Sequence, residues 1–242
     1  MTLHPYLART AILLAAALAP AVHAAGTAAG TSIANTASVT FTDPGGTPTT
    51  VTSNTQTVTV DEVLDVTVVA NDAGNVAVTT PSSNKVLSFT VTNTGNGPEG
   101  FALSTDASVA GDQFNPANVR IYLDNGDSTF DPLTDTLYVA GTNDPALTAG
   151  GLPTDSRLVF VVSDIPGSLG NGNVGLVRLK AEALTAKATA GADTAGTVFA
   201  GAGAGGTDAV VGSSTAEASV QNGYAVEQVS ATFVKSQSVL DG

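Results

Sequence analysis

Most of the chain alternates between apolar and polar residues with a period of two. In one such run, Leu87, Phe89 and Val91 alternate with serine and threonine. This period is typical of β-strands that bury one face and leave the other in water. Similar runs lie at 33–41, 58–60, 64–68 and 119–123. The best candidate for a helix is the segment at 179–190, and its pattern fits a strand followed by a loop equally well. We therefore expect an all-β fold.

Short turn signals separate these runs. Asp43-Pro44-Gly45-Gly46 lies between two Thr-rich stretches, and Asn-Gly pairs occur at 96–97, 125–126, 171–172 and 222–223. Both residues of an Asn-Gly pair tolerate positive φ. Many short strands joined by such turns indicate a sandwich or a barrel. The sequence therefore predicts an antiparallel sandwich, preceded by a Thr-rich β-hairpin arm at 25–60 that pairs within its own chain.

Residues 1–24 have the features of a secretory signal peptide. Arg9 precedes an apolar run at 11–22, and Val22 and Ala24 suit the positions before a cleavage site. The run is shorter than the ~20 residues that a membrane-spanning helix needs. We therefore expect an exported chain with no transmembrane segment after cleavage, in the cell envelope, the periplasm or the extracellular medium.

Cleavage after Ala24 would change the composition in a way that bears on function. Both histidines and the only methionine would leave, and the remaining chain would contain no His, Cys, Met or Trp. Histidine is the usual general base near neutral pH, so the sequence predicts no catalytic activity. Without Arg9 the formal net charge is −14. A strongly acidic chain of this kind is not expected to bind nucleic acid.

Composition divides the remainder of the chain. Residues 61–185 hold the regular alternating runs and are predicted to form the main sandwich. Residues 186–242 begin with a stretch of almost pure Ala, Gly and Thr that ends near 206. We expect this stretch to be a long loop with little packing, followed by closing strands at 216–220 and 226–234.

One segment, at 124–135, has the residues of a metal site. Its four carboxylates are the candidate ligands Asp124, Asp127, Asp131 and Asp135. Calcium takes six to eight hard oxygen ligands, which makes it the expected ion. The spacing departs from an EF-hand, because Gly126 and Ser128 stand where Asp or Asn is wanted. The alternative is a solvated turn in which Asp side chains accept hydrogen bonds from nearby backbone N–H groups.

Two stretches resemble a known family. Residues 86–96 read Val-Leu-Ser-Phe-Thr-Val-Thr-Asn-Thr-Gly-Asn and resemble the V-T-N-T-G signature of the conserved-repeat family of bacterial cell-surface proteins, a domain of unknown function. The Thr-rich runs at 33–41 and 51–55 are similar to a hairpin in the same group. The resemblance implies an immunoglobulin-like sandwich, a surface location and a structural or adhesive role, and it implies no catalytic residues.

Three hypotheses about function follow. The first is an exported structural or adhesive protein that binds copies of itself or surface polymers through strand edges, as in β-augmentation. The second is a secreted calcium- or carbohydrate-dependent binding module with 124–135 as its site. The third, a hydrolase with paired carboxylates, is disfavoured because no acid/base motif is recognisable.

Overall fold

The computed structural model describes residues 26–42, 45–149, 155–187, 194–228 and 234–236. The predicted signal peptide lies outside these residues. The strands, in chain order, are β1 Ser32–Asn35, β2 Ser38–Thr42, β3 Pro48–Thr52, β4 Gln56–Thr59, β5 Glu62–Leu64, β6 Val66–Ala70, β7 Val76–Val78, β8 Ser82–Asn93, β9 Glu99–Asp106, β10 Ala117–Leu123, β11 Thr136–Leu137, β12 Ala146–Leu147, β13 Ser156–Ile165, β14 Val174–Ala183, β15 Val198–Phe199, β16 Ala209–Val211 and β17 Glu217–Val226. The helical segments among the described residues are α1, Leu184–Lys187, and a 3-10 turn at Ala204–Gly206.

Two five-stranded sheets form a sandwich whose strands pair antiparallel, except for β7, which runs parallel to β17. The first sheet has the order β11-β10-β13-β8-β6 and the second has the order β12-β9-β14-β17-β7. Seven strands, taken in chain order as A to G, are β6, β8, β9, β10, β13, β14 and β17. With that lettering the sheets read ABED and CFG, which is the strand order of an immunoglobulin constant-type domain. The all-β, immunoglobulin-like sandwich expected from the sequence is confirmed.

The core lies between the inner faces of the two sheets. Leu87, Phe89 and Val91 of β8 are completely buried, as the period of two predicts. Val177 and Leu179 of β14 belong to the same buried cluster from the opposite sheet. The threonines that alternate with the apolar residues of β8 lie on the outer face. Thr and Val both suit a pleated surface because they are β-branched and stiff at χ1.

The N-terminal arm, residues 26–60, is a two-stranded ribbon. β1 pairs with β4 and β2 pairs with β3, both antiparallel and within the chain. The register moves by one residue between the two ladders, which is the effect of a β-bulge. Across this irregularity, the Ser53 amide donates to the Ala37 carbonyl at 2.8 Å. The predicted hairpin arm is therefore confirmed, although residues 43–44 of its predicted turn lie outside the described residues.

The segment at 186–242 is tied into the sandwich in two places. β16 pairs in parallel with β5, and β15 extends this small sheet. The expectation of a long loop with little packing is thus wrong for 198–199, although 188–193 lie outside the described residues. β17 then pairs with β14 along nine residues. The second sheet of the sandwich therefore includes a strand from this segment.

The Asn222-Gly223 pair is not a turn. Both residues lie inside β17, which runs from Glu217 to Val226 as one strand in place of the predicted break at 220–226. The Asn222 side chain donates to Asp72 at 3.1 Å. A Cβ at position 223 would lie 2.6 Å from the Gly175 carbonyl oxygen. Glycine is present there because two backbones approach closely, rather than because φ is positive.

Candidate functional site

The acidic loop, residues 124–135, connects β10 to β11 at one edge of the first sheet. Two of its carboxylates lie beneath the surface: Asp124 is 6% exposed and Asp135 is 7% exposed. Both hold the loop closed. Asp124 Oδ1 accepts the Ser128 amide at 3.1 Å, and the two oxygens of Asp135 accept the Asn125 and Asp131 amides at 3.0 and 2.9 Å.

The other two carboxylates bond locally. Asp127 Oδ1 accepts the Thr129 amide at 2.8 Å, and Asp131 Oδ1 accepts the Leu133 amide at 2.9 Å. Each bond joins a side chain to the backbone two residues further on, which is the geometry of an Asx turn. All four predicted ligands therefore accept backbone hydrogen bonds, as the alternative interpretation of this segment expects.

The acidic loop does not assemble its carboxylates around one point. Within the described ranges, no three Asp, Glu, His or Cys side chains are grouped as the ligands of a metal ion would be. Calcium binding by Asp124, Asp127, Asp131 and Asp135 stays a prediction. The backbone hydrogen bonds described above explain why aspartate is present at these four positions, and they require no ion.

An aromatic contact explains why the acidic loop folds back on the sheet. Phe130 packs against Tyr122 and Phe160, with ring centroids 5.2 and 5.6 Å apart and edge-on geometry. Tyr122 and Phe160 lie on the outer face of the first sheet, where they form a small buried cluster. Such edge-to-face pairs each contribute about 0.5–1.5 kcal/mol beyond burial. The loop therefore acts as a cover for this cluster.

Beside the acidic loop, one tyrosine joins the two sheets. The Tyr138 hydroxyl donates to Asp144 at 2.5 Å and accepts the amide of Leu103, in the second sheet, at 2.8 Å. Burial, and then the hydrogen bond to Asp144, raise the pKa of Tyr138 to about 12. The phenol therefore stays protonated at neutral pH and serves as a fixed structural link.

The stretch that carries the family resemblance forms the base of the arm. Asn96 Oδ1 accepts the Val63 amide at 2.6 Å, and Asn96 Nδ2 donates to the carbonyls of Thr27 and Asp61, each at 3.0 Å. One side chain thus holds both ends of the arm. A Cβ at Gly95 would overlap the Val63 carbonyl oxygen, so glycine is needed for this close approach.

A buried glutamate lies at the same junction and was missed from the sequence. Glu62 is 2% exposed; its Oε2 accepts the Ala204 amide at 2.6 Å, while its buried Oε1 has no hydrogen-bond partner. Burial raises the pKa of Glu62, the Ala204 amide lowers it in part, and Glu99 raises it further. Nothing local in the sequence distinguished it from a solvated acid.

The arm itself presents apolar side chains to solvent. Val39 pairs with Val51 across the ribbon, and Ile33 pairs with Val58. These four residues and Phe41 are between 49% and 66% exposed. On the opposite face, the hydroxyls of Thr40 and Thr50 are 2.8 Å apart. The arm therefore has an apolar stripe, and none of its described residues belongs to the core.

No protein-family model matches the chain, and a search of curated proteins finds no match. No helix in the part of the chain that the structure describes has the length and apolar character needed to cross a membrane.

Proposed function

We propose that this chain is an exported structural component of a cell surface, without reaction chemistry, that associates with further copies of itself through its arm. The observation that carries the proposal is the arm: a paired ribbon whose strands are exposed almost throughout. An isolated two-stranded ribbon is marginally stable in water at best. A ribbon of this length gains stability when another strand or sheet covers it.

The arm lacks the usual protection of strand edges. Natural edge strands carry lysines, prolines or inward-pointing charges that prevent pairing with other chains. Between residues 26 and 60, Asp43 is the one charged residue, and the two prolines, Pro44 and Pro48, lie near the tip. The strand edges of the arm are therefore suited to pairing with another β-strand.

Charge favours a second copy as the partner. The sandwich carries nearly all of the net negative charge, so two sandwiches repel at short range. From Ser32 to Thr42 the ribbon spans 11 residues, or about 35 Å at the rise of a β-strand. Two arms paired antiparallel would hold the sandwiches several Debye lengths apart, since that length is about 8 Å at physiological salt. The arms, with one charge each, can then pair with little repulsion.

Sedimentation velocity tests the proposal on the chain without residues 1–24. We expect oligomers whose fraction rises with protein concentration, and a monomer when residues 25–60 are deleted. A sharper variant carries Thr40→Lys and Thr57→Lys, which place charges on exposed positions of both arm strands without setting two lysines opposite each other. The matched control carries Thr134→Lys and Thr142→Lys, which add the same charge at exposed loop positions of the sandwich. A chain that is monomeric at every concentration, or a control that dissociates equally, would contradict the proposal.

A further inference from the structure

A cleft opens between the two sheets at the end of the sandwich beside the acidic loop. Its volume is about 430 Å³, within the range of small-molecule sites. β10 and β13 of the first sheet line one side, and β12 of the second sheet lines the other. The apolar part of the lining includes Leu123, Pro145 and Leu147, and the polar part includes Asp124 and Arg157.

Arg157 points into the space between the sheets. Along β13 it alternates with Val159 and Val161, both completely buried in the core, so its side chain leaves the strand on the inner face. Its Nε atom is buried and has no hydrogen-bond partner. It forms no ion pair with a carboxylate of the described ranges, whereas Arg120 and Arg178 each lie within 4.0 Å of an aspartate.

An inward guanidinium whose buried Nε has no acceptor is costly to the fold. A charged donor that loses water and gains no acceptor costs more than the 1–3 kcal/mol of a neutral one. A leucine or valine, as at positions 158 and 159 of the same strand, would fill the position without that cost. The arrangement becomes favourable once an oxyanion occupies the cleft, because a guanidinium binds a carboxylate through two parallel hydrogen bonds.

We propose that this cleft binds the carboxylate of a small organic acid, with the Arg157 guanidinium on the carboxylate and Leu123 and Leu147 against the apolar chain. The buried Asp124 disfavours ligands with two or more negative charges, because its carboxylate lines the same space. The ligand class is therefore a monoanionic carboxylate with a short apolar portion, supplied either as a free acid or as the C-terminus of a peptide.

Amide NMR spectra of the chain without residues 1–24 test this site with isovalerate, N-acetylleucine, isovaleramide and inorganic phosphate. We expect saturable shifts with both carboxylates, at the amides of the cleft, such as Ala146 and Leu158. We expect none with the uncharged amide or with phosphate. Tighter binding of isovalerate points to free acids, and tighter binding of N-acetylleucine points to peptide C-termini. No saturable shift at millimolar carboxylate, or equal shifts with isovaleramide, would overturn the proposal.

Two variants isolate the guanidinium. Arg157→Gln is expected to weaken carboxylate binding at least about tenfold, the loss of one charge-assisted interaction. Arg178→Gln removes an exposed guanidinium from the outer face of β14 and is expected to leave affinity unchanged. Equal loss in both variants would overturn the assignment. If Arg157→Gln does not fold, the wild-type spectra test the assignment. Shifts at amides away from the cleft would contradict it.

Discussion

The sandwich and the arm are built from the same kind of sequence and end in opposite environments. Phe89 and Phe41 both lie between small hydroxyl residues in a β-strand, yet Phe89 is completely buried and Phe41 is 49% exposed. Period-two alternation determines which side chains share a face, and it does not determine whether anything covers that face. The sandwich has a second sheet to cover its apolar side, whereas the arm has none within the described residues.

The largest expected effect separates these two phenylalanines. Phe89→Ala is expected to lower the free energy of unfolding by about 3–5 kcal/mol, because it leaves a cavity in the core. Phe41→Ala is expected to change it by no more than about 0.5 kcal/mol, as for other surface substitutions. Urea denaturation at low protein concentration measures both, and a large loss in Phe41→Ala would show that the arm packs on the sandwich.

The second prediction concerns the junction between arm and sandwich. Asn96→Ala removes a side chain that makes three hydrogen bonds to the arm and its base. We expect a loss of about 1–3 kcal/mol, because three hydrogen bonds are removed and each contributes about 0.5–1.5 kcal/mol, toward the lower end at partly exposed positions. Limited proteolysis is expected to cut the arm faster than in the wild type. Asn115→Ala, at an exposed loop position, serves as the control, and equal cleavage of the two variants would contradict the role of Asn96.

The third prediction uses the raised pKa of Glu62. A carboxyl whose pKa is higher in the folded state than in the unfolded state stabilises the fold at low pH. That contribution is lost as pH rises through the folded-state pKa. The Glu62 contribution to wild-type stability should therefore fall as pH rises above about 4.3, the ordinary pKa of a glutamate, and Glu62→Gln should flatten this part of the profile.

Urea denaturation at several pH values measures the Glu62 effect, with the exposed Glu227→Gln as the matched control. A profile that is unchanged in Glu62→Gln would show that burial at the arm junction does not affect this titration.

The smallest expected effect is that of calcium on the acidic loop. If Asp124, Asp127, Asp131 and Asp135 hold the ion, millimolar calcium should raise Tm by the amount that mass action allows. Asp127→Asn with Asp131→Asn should abolish that rise and leave the buried pair intact. Calorimetry that records neither heat nor a Tm change would remove the calcium hypothesis and leave the loop as a backbone-capped cover over Tyr122 and Phe160.

The sequence predicted the strands and the fold class. Particular residues show which features could not be predicted from it. Leu87 to Val91 predicted a buried strand correctly because local alternation is enough. The turn predicted at Asn222-Gly223 was wrong, because the sequence does not distinguish a glycine needed for close backbone packing from one needed for a turn. Arg157 follows three polar residues and comes directly before the apolar run at 158–162, so the sequence did not show on which face of β13 it lies; the pairing of β13 with its neighbours does.

The proposed role of the arm is assembly, in which other copies of the chain stabilise it. Hydrogen exchange of the arm amides tests it most directly when measured over a range of protein concentrations. We expect amides at 32–59 to exchange fast in dilute solution and to gain protection as concentration rises, while amides of β8 and β14 stay protected throughout. Protection of the arm that is independent of concentration would contradict the claim.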